Sequence, residues 1–159
     1  MLPGGHYGAG SSKHPRPTRT TAGPTRAVAR WAAWHLSEIE GYTSYGITKG
    51  AMTFQEIPPN MQLPREVRLL APAYRRVHEE AVTRLADLTE AQLDREMQFA
   101  DRRMSIRDIL WGAMLMHLIH HREQLSLLCR LAGGTSPGIY GPNREEMAAM
   151  RERMKTAKV

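Results

Sequence analysis

The amino-acid sequence predicts an all-α protein, built as an up-and-down bundle of antiparallel helices. Apolar residues recur at helical spacing in the long segments, and helix-capping residues stand at the starts of several of them. No run alternates apolar and polar residues as a half-buried strand would. The chain has 159 residues, which is enough for one domain with a hydrophobic core. Antiparallel helices in a chain of this length favour a bundle.

The first 24 residues are not expected to join that bundle. Residues 1–24 are rich in Gly, Pro, Ser and Thr, and they cannot bury enough surface to offset the entropy of ordering. We therefore divide the chain into a flexible basic tail, 1–24, and a helical bundle domain, 25–159. The first helix is predicted to begin at Thr25, an N-cap candidate after a proline, and to run to about Lys49.

The middle of the chain is predicted as a long loop followed by a second helix. Residues 50–64 hold one glycine and three prolines, which are typical of a loop. The second helix is expected over about 65–87, and Pro72 should kink it or mark a late start. Thr89 and Gln92 then form a capping-box pattern that opens a short helical turn.

Two further helices follow in the C-terminal part of the chain. Ser105 is the N-cap candidate for a helix that runs to the Ala-Gly-Gly stop at 132–134. Asn143 and Glu146 form a capping box for a last amphipathic helix, which carries methionines on one side.

Composition and charge exclude several classes of protein. The net charge is +6, but the positive residues form no block, and no nucleic-acid-binding motif is recognised. The single cysteine, Cys129, excludes an internal disulfide framework and fits a reducing compartment. No segment is long and apolar enough to span a membrane, and the N-terminus lacks the apolar region of a secretory signal. We therefore expect a cytoplasmic protein without a membrane partner. A nucleic-acid partner, bound through the basic tail 1–24, is kept only as a minor alternative.

The stretch LMHLIHHREQL, residues 115–125, indicates chemistry because it holds three of the seven histidines. At about 100° per residue, His117 and His121 lie one turn apart on the apolar face that carries Ile106 and Leu131, with His120 at its edge. Two imidazoles at this spacing can chelate one metal ion. The alternative is a buried, hydrogen-bonded histidine pair, since buried polar groups must find partners.

A metal site of this kind needs at least one further ligand, and two histidines qualify. His35 lies at the centre of the apolar stripe of the first helix, and His78 shares a face with apolar residues of the second. Their spacing does not choose between them. Leu118 occupies the position at which an H-E-x-x-H zinc protease carries its glutamate base, so that class of enzyme is excluded.

Three stretches of the sequence follow the pattern of a known family. HLIHHREQLSLLCRLAGGTSPGIYGP, residues 117–142, has a histidine, three residues, a second histidine within a His-Arg-x-Gln-Leu motif, and a later Pro-x-x-Tyr-Gly. WHLSEIEGYTSYGITKG (34–50) and LADLTEAQLDREMQF (85–99) are looser matches. In these stretches the chain resembles the DinB-like (DinB/YfiT) family of metal-binding four-helix bundles, over about residues 27–142.

This resemblance implies one divalent metal ion held by three histidines, which by matching position are His35, His117 and His121. Three imidazoles leave coordination positions open to water or substrate, and nitrogen ligands suit Zn, Ni or Fe. Family members of known activity include metal-dependent thiol S-transferases, a maleylpyruvate isomerase and hydrolase-like proteins. The implied function is therefore that of a metal-dependent hydrolase or thiol S-transferase acting on a small molecule. Arg122 and Gln124 are the candidates for supporting the ligands.

The chain departs from the family pattern at two places. Glu123 replaces the glycine of the His-Arg-Gly-Gln motif. The family also has a helix ahead of the one that carries the first histidine, and residues 1–24 cannot form it. The bundle is thus expected to lack one wall, unless a second copy in a homodimer or the C-terminal helix covers it. The alternative function is that of a non-catalytic dimeric stress or regulatory protein with a vestigial histidine site.

Overall fold

The structure, a computed structural model, describes the backbone of residues 22–157 and the side chains of residues 27–157. Nearly all of the predicted tail, 1–24, lies outside the described residues. The helices of the described part are α1 (Ala22–Lys49), α2 (Leu70–Leu85), α3 (Glu90–Leu93), α4 (Ile106–Asp108), α5 (Met116–Leu131) and α6 (Arg144–Thr156), with a 3-10 turn at Val67–Leu69 and a π-helical segment at Ile109–Leu115.

Helix α1 is the central element of the fold, because both α2 and α5 pack against it. It begins at Ala22, three residues before the predicted Thr25, and ends at Lys49 as predicted. Gly50 follows with a φ of +76°, a left-handed conformation that glycine adopts without steric cost and that stops a helix. The prediction of a mainly helical bundle is confirmed.

The helix starts are fixed by the residues that the sequence singles out. The Thr89 and Asn143 side chains each accept a hydrogen bond from the backbone of the residue three positions on, and both capping boxes are complete. The Ser105 hydroxyl accepts from the backbone N–H of Asp108 at 3.0 Å. Helix α2 begins at Leu70, so Pro72 lies in its first turn, where no intrahelical N–H bond is lost. Pro72 therefore marks a late start of the second helix rather than a kink within it.

A small three-stranded sheet is present that the sequence did not predict. Strand β1 (Ala51–Met52) pairs in parallel with β2 (Glu96–Phe99), and β2 pairs antiparallel with β3 (Arg102–Ser105). Runs of two to four residues are too short for an alternating pattern to stand out. Because β1 follows α1 directly, its pairing with β2 brings Phe99 next to the C-terminal half of α1.

The long helix that carries His117, His120 and His121 is not uniform. It comprises α4, the π-helical segment and α5, and the N–H of Met116 bonds to the carbonyl of Trp111, five residues back. This wider spacing changes which residues share a face. Ile106 and Ile109 are fully buried, whereas Leu131, predicted on the same apolar face as Ile106, is 69% exposed. The prediction of one continuous apolar face is therefore wrong.

The hydrophobic core lies where α1, the sheet and the start of the long helix meet. Its main cluster is formed by Ile47, Met52, Met97, Ile106 and Ile109. Helix α6 contributes no buried side chain, and it is linked to α5 by an ion pair between Arg130 and Glu145 at 2.9 Å. The C-terminal helix α6 therefore does not take the place of a fourth core helix in the bundle. Among the described residues, no helix has the length and apolar content that crossing a membrane requires.

Candidate metal centre

The structure brings three histidines together, one from α1 and two from α5. One ligand nitrogen from each of His35, His117 and His121 lies within 4.8 Å of the others. The Nε2 atoms of His117 and His121 are 2.9 Å apart. The ring centroid of His35 lies 5.3 Å from that of His117 and 4.6 Å from that of His121. Their role as metal ligands remains a prediction, but their convergence is a feature of the fold.

A carboxylate holds the imidazole of His35 in a defined orientation. His35 Nδ1 lies 2.8 Å from Glu38 Oε2, three residues along α1. Because an ionised carboxylate only accepts hydrogen bonds, Nδ1 is the nitrogen that carries the proton, and Nε2 is left as a free lone-pair donor. A histidine that gives its other N–H to a carboxylate is typical of metal sites.

Glu38 adds to the supporting residues that the sequence indicated. Of those, Gln124 is exposed, but its side chain contributes a hydrogen bond that raises the pKa of His121 against the larger effect of burial. The guanidinium of Arg122 lies over the ring of Tyr140, 5.9 Å from its centroid. Glu38 could have been found from its i, i+3 spacing to His35, because residues three apart on a helix are neighbours.

An indole ring covers the cluster on one side. Trp31, one turn before His35, stacks on its imidazole with the centroids 4.8 Å apart and the planes 13° apart. The same indole meets His121 edge-on, at 5.9 Å. Trp31 is half-exposed, so this part of the predicted apolar stripe of α1 faces the histidines rather than the core.

The three histidines differ in exposure. His121 is buried, His35 is partly buried and His117 is exposed, so only His121 matches the predicted orientation into the core. Partial burial of the ring lowers the pKa of His117, and repulsion from His121 and His35 adds to this. Burial also lowers the pKa of His121, with a further contribution from His35. Both effects favour the neutral imidazole, which is the form that binds a metal.

The remaining candidates from the sequence lie outside the cluster. His78 binds Glu40 through Nδ1 at 2.8 Å, on a different side of α1. His120 is exposed and meets only the edge of the cluster, with its ring 4.9 Å from that of His121. Glu123 is exposed as well. The thiol of Cys129 donates to the carbonyl of Thr135 at 3.3 Å.

The donor set fits a divalent transition metal. It provides three imidazole nitrogens, one of them oriented by a carboxylate, and no thiolate. This set suits metals that prefer nitrogen ligands and leaves at least one coordination position for water or a substrate. His35 and His117 also line a cavity of about 700 Å³, so there is room for water or a substrate beside these two residues.

Comparison with known proteins agrees with this architecture. The sequence model of the DinB family matches residues 27–155. The chain is 31% identical over 117 residues to the uncharacterized protein YrdA of Bacillus subtilis (strain 168), a match that covers 73% of this chain and 68% of YrdA. No solved structure matches the chain. A helical bundle with a three-histidine cluster and a family match over most of its length lead to one conclusion: the chain belongs to the DinB family.

Proposed function

We propose that the protein binds one divalent metal ion through His35, His117 and His121 and acts on a small molecule, as a metal-dependent hydrolase or thiol S-transferase. The observation that carries this proposal is the convergence of three imidazole nitrogens within 4.8 Å at the edge of a cavity of about 700 Å³. A structural metal site is closed by its protein ligands, whereas a three-ligand site next to a cavity is typical of catalysis.

Each residue of the site has a distinct task in this proposal. When bound, a divalent metal supplies a Lewis acid that lowers the pKa of a coordinated water or thiol. Glu38 holds the His35 ring through Nδ1, which leaves Nε2 as the nitrogen available to a metal. Trp31 shields His35 and His121 from solvent on one side. His117, the most exposed of the three, borders the cavity through which a substrate would arrive.

The test is metal content and metal-dependent turnover in protein purified without a histidine tag. Elemental analysis should find about one divalent ion per chain after reconstitution. Conjugation of a thiol to 1-chloro-2,4-dinitrobenzene and hydrolysis of 4-nitrophenyl acetate are then measured with Zn²⁺, Ni²⁺ or Fe²⁺. At least one reaction should require the metal and be lost in His117→Ala. A wild-type protein that takes up no metal would overturn the proposal.

A second candidate, a non-catalytic dimeric protein, is favoured by exposed apolar side chains on the long helix. Trp111, Leu127 and Leu131 are 70%, 59% and 69% exposed. Large exposed apolar side chains mark surfaces that associate with partners, and a second copy of this chain would cover them. Light scattering that gives a dimer mass, together with metal binding but no turnover, would favour this candidate over an enzyme.

A further inference from the structure

We infer that the cavity beside the three histidines binds an uncharged aromatic or apolar group, so that the substrate of the proposed metal centre carries such a group next to its reacting atom. The assignment of this group to a substrate rests on the proposed function. The binding preference itself rests on the cavity and can be tested without metal.

The size and walls of the cavity indicate a small organic ligand. Its volume of about 700 Å³ lies within the range of sites for drug-sized molecules. Ile39 and Tyr42 of α1, Met52 of β1 and Phe99 of β2 contribute apolar surface. The unpredicted sheet therefore forms part of the ligand site.

An aromatic wall borders the cavity. The ring of Phe54 meets that of Phe99 edge-to-face, with centroids 6.0 Å apart and an interplanar angle of 79°. The ring of Tyr42 lies 6.3 Å from that of Phe54. Rings in such arrangements can add a further aromatic partner with favourable geometry.

The backbone of Phe54 gives a second, independent indication of a ligand. Its φ is +60°, a left-handed conformation that is uncommon for a bulky residue other than glycine. Its side chain is 53% exposed, so burial of this ring does not account for the conformation. Such backbone conformations cluster at ligand-binding sites, where they place a side chain in a position that relaxed geometry would not reach.

Charge in the cavity argues against an anionic group. Among the described residues that line it, Glu38 is the only acidic one, and no lysine or arginine is present. Arg102 lies over the ring of Phe99, 6.0 Å from its centroid, but does not line the cavity. In the metal-free protein, an anion buried beside Glu38 would lose its hydration without gaining a counter-ion.

Gly112 leaves the cavity open. It lies in the π-helical segment, five residues before His117, and both residues line the cavity. A Cβ atom at this position would meet no neighbouring group within 4 Å. A larger side chain at 112 would therefore occupy the space of the ligand without a clash at its base.

The first experiment titrates metal-free protein with N-phenyl-1-naphthylamine, an uncharged aromatic fluorophore whose emission rises in apolar sites. Saturable binding is expected for the wild type, and Gly112→Leu should weaken it at least tenfold. Gly141→Leu is the matched control, because a Cβ at Gly141 also meets no group within 4 Å and the residue does not line the cavity. Phe54→Ala should weaken binding by about 2- to 12-fold, the range for one aromatic pair.

The second experiment compares this probe with 8-anilinonaphthalene-1-sulfonate, which has the same ring system and a sulfonate. The uncharged probe should bind at least tenfold more tightly to the site that Gly112→Leu blocks. The inference is overturned if Gly112→Leu and Phe54→Ala both bind the uncharged probe as the wild type does, or if the sulfonate binds that site equally well.

A parallel Zn²⁺ titration separates this inference from the proposed function. Gly112→Leu should bind Zn²⁺ as the wild type does, because Gly112 is not a ligand. If the wild type binds no Zn²⁺ but Gly112→Leu loses the fluorophore, the proposed function fails and the cavity inference stands. If Zn²⁺ binds and fluorophore binding is insensitive to residues 54 and 112, the cavity inference fails alone.

Discussion

Two histidine–glutamate pairs lie on different sides of α1 and have the same contact distance. In each, a histidine Nδ1 atom lies 2.8 Å from a glutamate Oε2 atom. The pair of His35 and Glu38 lies within α1, and its imidazole faces the two histidines of α5. The pair of Glu40 and His78 joins α1 to α2, and the second oxygen of Glu40 accepts a hydrogen bond from the hydroxyl of Tyr74 at 2.6 Å.

The two pairs differ in which partner is enclosed. In the first pair the His35 side chain is 22% exposed and the Glu38 side chain 34%. In the second the His78 side chain is 52% exposed and the Glu40 side chain only 7%. In the first pair, Glu38 fixes the orientation of the His35 ring. In the second, His78 and Tyr74 provide hydrogen bonds to the buried carboxylate of Glu40. In the proposed metal site, the same contact therefore orients a ligand on one side of α1, whereas on the other side it stabilises a buried carboxylate.

Acidification should have the largest effect on Zn²⁺ affinity, because it protonates the histidines of the cluster that includes His35. A protonated imidazole cannot bind a metal, and burial lowers the pKa of His117 and His121 below the ordinary value of 6.5. Zn²⁺ affinity should therefore be flat above about pH 6.5 and decrease below it. The decrease should be about tenfold per pH unit for each ligand that must lose a proton. Competition with a chromophoric chelator from pH 8 to 5 measures it, and an unchanged affinity at pH 5 would contradict the account.

Substitution of the carboxylate that supports His35 should also weaken metal binding, but less than the loss of a ligand. Glu38→Gln removes the acceptor that fixes the His35 tautomer, so Zn²⁺ affinity should fall by about 10- to 100-fold, the range for residues that support ligands. The free energy of unfolding of the metal-free protein should change little, since this pair is partly exposed. Calorimetric titration and urea denaturation give the two values.

The same substitution in the second pair should lower the free energy of unfolding and leave Zn²⁺ affinity nearly unchanged. Glu40→Gln leaves the hydrogen bonds of Tyr74 and His78 without their charged acceptor in a buried position, so the free energy of unfolding should decrease by about 1–3 kcal/mol. Burial and the hydrogen bond to Glu40 raise the pKa of Tyr74 well above its usual range, so its hydroxyl remains a donor. Zn²⁺ affinity should stay within about twofold of the wild type. A loss of affinity matching that of Glu38→Gln would remove the distinction between the pairs.

Removal of the exposed His78 side chain should have the smallest effect, a slight decrease in the free energy of unfolding. His78→Ala leaves Glu40 with its bond to Tyr74. The His78 side chain is 52% exposed, so water can replace it beside the carboxylate, and the free energy of unfolding should decrease by about 1 kcal/mol or less. Thermal unfolding of metal-free protein measures this, with Glu40→Gln as the reference for a larger loss.

The features that depend on neighbouring residues were predictable from the sequence. The capping boxes at Thr89 and Asn143 and the late start of α2 at Pro72 involve contacts within one turn. The family resemblance likewise depends on local motifs, and the family match confirms it.

The features that depend on tertiary contacts could not be predicted from the sequence. Spacing alone could not choose between His35 and His78, because that choice depends on which side of α1 faces α5. The sheet consists of strands too short to show a pattern, yet it supplies Phe99 to the cavity. The π-helical segment changes the phase of the long helix, so a uniform angle per residue misplaced Leu131.

The most direct test of the difference between the two sides of α1 is a Zn²⁺ titration of three proteins: the wild type, His117→Ala and His78→Ala. We predict one equivalent bound to the wild type and to His78→Ala with equal affinity. For His117→Ala we predict a loss of more than about 100-fold, beyond the range for residues that only support ligands. Equal binding by His117→Ala and the wild type, or a comparable loss in His78→Ala, would contradict the account.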